Sequence, residues 1–152
     1  TVIMDKYKYN TLLYEKKTLQ PNLVNFIETE FINDRVKYKN SNIYIDRSDI
    51  NIFSILYLMA NNNKQIINKI NIIEREGKYY NISIINENDD YELFLDEVNK
   101  DSSGLIRDTD IFLWGLFLPN TKKTVKVNKS GFIEQCVFKK GLLTVKAEID
   151  YK

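Results

Sequence analysis

Residues 122–149 read KKTVKVNKSGFIEQCVFKKGLLTVKAEI, and this stretch decides the fold class. Lys122 to Val127 alternates, with Val125 and Val127 on one side of a pleat and Thr124 and Lys126 on the other. Asn128-Lys129-Ser130-Gly131 supplies turn chemistry, and Phe132 to Phe138 returns. Lys140-Gly141 turns again, and Leu142 to Ile149 closes a meander in which Leu143, Val145, Ala147 and Ile149 share one side.

Upstream, Ile111 to Leu118 is apolar without interruption, which predicts a central strand covered on both faces. Tyr91 to Leu95 reads as another strand. Lys69 to Arg75 and Lys78 to Ile85 read as a hairpin about Glu76-Gly77. The first half has helical spacing instead. Pro21 suits the opening turn of a helix, and Leu23, Phe26, Ile27 and Phe31 recur at steps of three and four, predicting a helix through Ile32. Ser48 or Asp49 would cap a second helix carrying Ile52, Phe53, Ile55, Leu56 and Met59, which stops at Asn61-Asn62-Asn63. The expected architecture is therefore α+β, with N-terminal helices packed on a mainly antiparallel β-sheet and a C-terminal β-meander. No Pro/Gly/Ser-rich linker divides the chain, so residues 1–152 are expected to form a single α+β domain.

Composition closes off several chemistries. There is no His, which removes the commonest general base and metal ligand together with every His-based triad. One Cys excludes an internal disulfide and Cys-rich metal sites, and Cys136, inside a predicted strand, reads as a small half-buried residue. Neither the Walker nor the dinucleotide glycine pattern occurs. The chain holds 20 Ile, 18 Asn and 18 Lys but only 4 Arg, the usage of an A/T-rich genome, so Lys-over-Arg says little about function. The N-terminal stretch lacks a signal-peptide core and the longest apolar run is eight residues, so a cytoplasmic protein without membrane contact is expected.

Three weak catalytic signals exist. Asp108-Thr109-Asp110 places two acids on one side of an extended segment, a pair suited to Mg²⁺. Glu76-Gly77-Lys78 and Glu15-Lys16-Lys17 each carry the Glu-x-Lys step of metal-dependent nucleases, a triplet that 18 Lys produce by chance. None specifies a metal site or a cofactor, and no enzyme is expected.

Charge distribution is the signal above background. Residues 86–110 hold nine acids and two bases, while residues 111–152 hold eight bases and three acids. The plain reading is a solvated acidic surface that partly neutralises the meander. The functional reading is a docking face for a basic protein. In it Asp89, Asp90, Glu92, Asp96 and Glu97 pair with partner Lys/Arg, and Tyr91 or Phe94 fills a pocket. On that reading the chain is a non-catalytic immunity- or antitoxin-like protein that occludes a toxin domain, or a phage or viral accessory protein that binds a host factor. The alternative face, Lys122, Lys126 and Lys139 with nearby aromatics, would bind single-stranded nucleic acid.

Overall fold

A computed structural model describes residues 1–21, 23–46, 48–87, 90–98 and 111–148. Five strands come first: β1 (Val2–Met4), β2 (Thr11–Gln20), β3 (Leu23–Ile32), β4 (Arg35–Tyr38) and β5 (Tyr44–Asp46), paired in that order as an antiparallel sheet. Two helices follow, α1 (Ile52–Ala60) and α2 (Lys64–Ile67). Next come β6 (Ile72–Arg75), β7 (Lys78–Glu87) and β8 (Asp90–Glu97), a helix α3 (Ile111–Phe117), and β9 (Lys122–Val127), β10 (Ile133–Lys140) and β11 (Leu143–Glu148). These last six strands make a second antiparallel sheet in the order β11-β10-β9-β8-β7-β6.

The fold is thus mostly antiparallel β in two sheets, which corrects the expectation of N-terminal helices packed on one sheet. The helix predicted after Pro21 is the strand β3. Its inward positions Ile27 and Thr29 are buried, and they alternate with outward Val24, Phe26 and Ile32 that are themselves apolar. Hydrophobic residues on both faces erase the period of two and leave a chance helical spacing. The β-branched and aromatic content of the segment favours the strand, and β2 supplies its partner. The run from Ile111 is the helix α3, not a central strand. A short unbroken apolar run suits either element. Here Leu113 and Leu116, three residues apart, enter the core, and Gly115 lets the helix lie against Phe138, where a Cβ would sit 2.6 Å from the ring.

Other elements match their sequence signals. Helix α1 ends at the Asn triplet, although its N-cap is Asn51, whose side chain accepts from the Phe53 N–H. The hairpin β6–β7 turns on Glu76 and Gly77, both at positive φ (50° and 90°), the backbone of a two-residue turn that follows strand twist.

Helix α1 sits between the sheets. Ile52, Ile55, Leu56, Leu58 and Met59 join the larger core under β6–β10, with Ile73, Leu93, Leu116, Val125 and Phe138. Phe53 touches both cores and stacks on Tyr14 at 5.9 Å, joining the smaller core of Tyr14, Ile27, Val36, Tyr38 and Ile45 in the first sheet. A polar seam accompanies this contact. Glu74, 1% exposed, accepts from the Tyr38 hydroxyl (2.6 Å) and the Gly77 N–H (2.7 Å). Glu76 accepts from the Tyr14 hydroxyl (2.7 Å) and the Lys16 ammonium (2.9 Å). No helix among the described residues is long and apolar enough to cross a membrane.

Candidate functional site

Alternation along β8 sorts the acidic candidates onto two faces. Tyr91 and Leu93 point into the core, with Leu95 and Glu97 in the same phase. Asp90, Glu92, Phe94 and Asp96 point outward. Tyr91 is 1% exposed and its hydroxyl donates to Asn62 Oδ1 at 3.2 Å, so it is a core residue with a satisfied polar end. Glu97 accepts from Lys78 Nζ at 2.7 Å. Phe94 is 45% exposed and is the aromatic that faces solvent. Asp89, Asp108 and Asp110 lie outside the described residues.

Strand register builds the outer face. On β7, Ser83 stands opposite Phe94, Ile85 opposite Glu92, Asn81 opposite Asp96 and Glu87 opposite Asp90. On the other side, β9 sets Thr124 beside Glu92 and Lys126 beside Asp90. The turn before β9, which includes Asn120 at φ 55°, forms one wall of a groove of about 680 Å³. Asn81, Ser83, Glu92, Phe94, Asp96 and Lys122 line it. The groove thus brings together three acidic-segment candidates and one lysine of the alternative basic face.

Electrostatics divide this surface unequally. Lys122 pairs with Glu92 at 3.0 Å, Lys126 with Glu134 at 3.7 Å and Lys146 with Glu148 at 2.5 Å. Lys139 is exposed and stands directly opposite Lys122. Lys122, Lys126 and Lys146, three of the meander's seven lysines, are therefore met by carboxylates within the sheet. Glu87, Asp90 and Asp96 have no ion pair among the described residues, so uncompensated charge on the β7–β8 strip is negative. Exposed pairs such as Lys122–Glu92 are worth no more than about 1 kcal/mol and yield readily to a better partner.

The remaining chemical candidates have structural partners. Glu76 and Lys78 of the first Glu-x-Lys triplet turn apart, one to Tyr14 and Lys16, the other to Glu97. Lys16 of the second triplet is the ion partner of Glu76, and Lys17 is exposed. Cys136 is buried, which pushes its thiol up to about 11 and away from thiolate reactivity. Among the described residues no group of three His, Cys, Asp or Glu is placed to hold a metal ion.

Two buried ionisable sites escaped the sequence reading. Glu74 has its carboxyl pushed up to about 7 by burial, against hydrogen bonds from Gly77, Tyr38 and Asn51 that favour the ionised form. Lys123 lies 1% exposed in the inward phase of β9 with Val125 and Val127. Its ammonium donates to the Thr121 carbonyl at 2.9 Å, and burial lowers its pKa. The phase was readable, since position 123 is two residues before Val125; a lysine there invites an outward assignment. No protein-family model matches the chain, and neither a curated protein nor a solved structure does.

Proposed function

We propose that the chain is a non-catalytic, cytoplasmic protein-binding protein of the immunity or antitoxin type, acting by covering the working surface of a basic partner such as a nuclease toxin. The observation that carries this reading is the β7–β8 strip, where Glu87, Asp90 and Asp96, free of ion pairs among the described residues, flank exposed Ile85 and Phe94 beside a groove. Unmatched carboxylates speed encounter with a cationic surface and reject acidic ones, while an aromatic seated against the partner supplies affinity.

The test is capture of partners from the source cell by the wild-type chain and by D90K/D96K and F94A, followed by assay of the captured protein's activity. The reading expects a basic partner that is inhibited by the wild type. D90K/D96K should slow association and flatten its salt dependence, and F94A should speed dissociation by about tenfold or more. Equal capture and inhibition by all three proteins would overturn it.

One observation favours a second reading. Lys122 lines the groove with Phe94, and Lys139 stands opposite Lys122 on the next strand, an arrangement able to hold a single strand by charge and stacking. Steeply salt-dependent retention of single-stranded DNA or RNA, lost in K122Q/K139Q, would select it over protein binding.

A further inference from the structure

The two sheets have four edges, and three are blunted. β1 and β5 have three residues each, and β6 has four and is bridged by Asn51 at Glu74. Short edge strands and covered edges are how sheets avoid pairing with other chains. β11 differs. It runs six residues, LTVKAE, with no proline or glycine, and pairs with β10 from Gln135↔Glu148 to Lys140↔Leu143 without a register shift. Among the described residues nothing pairs with its other side. Its inward-phase residues are Leu143, Val145 and Ala147. Val145 packs against the core, but Leu143 and Ala147 are exposed, and Leu142 in the preceding turn is fully exposed.

We infer that β11 is the strand through which a second copy of this chain joins the six-stranded sheet, antiparallel and about a twofold axis at Val145. The register follows from side-chain chemistry. A twofold normal to the sheet keeps inner faces together, so each residue meets one of its own phase. With Val145 opposite Val145, Leu143 meets Ala147 on the inner side and Thr144 meets Lys146 on the outer side. The inner stripe becomes continuous and apolar, and no like charges oppose. Sliding by one phase-preserving step toward the C-terminus sets Lys146 against Lys146, a destabilising pair. Sliding the other way leaves three strand residues paired instead of five. A five-residue strand addition covers less surface than a permanent interface, so the association is weak and depends on concentration.

Sedimentation velocity on the full chain, from about 10 to about 500 µM, reads this directly. The wild type should shift from monomer toward dimer. T144K puts Lys opposite the partner's Lys146 twice per dimer and should weaken association by about fivefold; T144E should strengthen it by a similar factor, more so at low salt. In T144K/K146E the swapped charges face each other again and association should return, which separates the interface from any local effect of Thr144 beside Lys139. Hydrogen exchange should slow at residues 143–147 as concentration rises. A chain that stays monomeric throughout, or a dimer indifferent to T144K, T144E and the swap, would overturn the inference.

Discussion

Glu74 ties the stability of the fold to pH. Its ordinary carboxyl value is near 4.5 and burial between the sheets raises it to about 7. The folded chain therefore holds a proton there that the unfolded chain has already released across that interval. The sign follows from linkage: the stabilising preference for the protonated form is fully present below pH 4.5 and is lost as pH rises through about 7. A gap of this size corresponds to about 3 kcal/mol at about 1.4 kcal/mol per pH unit. E74Q keeps a side-chain oxygen for the Tyr38 hydroxyl and the Gly77 N–H but cannot ionise. Urea denaturation followed by Trp114 fluorescence, at steps from about pH 4.5 to about 8.5, measures both proteins. The wild type should lose about 3 kcal/mol relative to E74Q across that range. Free-energy curves for the two proteins that run parallel in pH would refute the assignment of a neutral buried carboxyl.

Two further substitutions probe the larger core. G115A brings a Cβ to 2.6 Å from the Phe138 ring and should cost about 1–3 kcal/mol through overpacking, seen as a lower urea midpoint with an unchanged slope. K123M replaces a buried ammonium with an apolar side chain of similar length and should raise stability at neutral pH. Because burial lowers the Lys123 pKa, the wild type recovers stability as pH rises toward the ordinary lysine value. The advantage of K123M should therefore shrink in thermal melts toward about pH 10.

The hairpin at Glu76-Gly77, the helix ended by Asn61 and the C-terminal meander were legible because each is bounded by a turn or cap with its own chemistry. Strand β3 was not, because Val24, Phe26 and Ile32 put apolar groups on its open side and hid the alternation. The run from Ile111 failed for the opposite reason: continuous apolarity carries no period. In the candidate site, alternation along β8 separates Phe94 from Tyr91 once Leu93 is known to face the core, and that much was available locally. The partners of Glu74 and Glu76 were not, since Tyr38 and Tyr14 lie 36 and 62 residues away and no short-range pattern links them.

Those separations also bear on how the chain matures during synthesis. The first five strands can leave the ribosome as a contiguous segment, but the Tyr14 and Tyr38 hydroxyls have only water as partner until residues 74–76 have followed and folded back. Phe53, which completes the small core, also arrives late, from α1. The nascent N-terminal sheet is therefore an incomplete body that waits for a downstream hairpin, with its half-built interior wet until then. The loop between Tyr14 and Glu76 must close before the seam gives any reward.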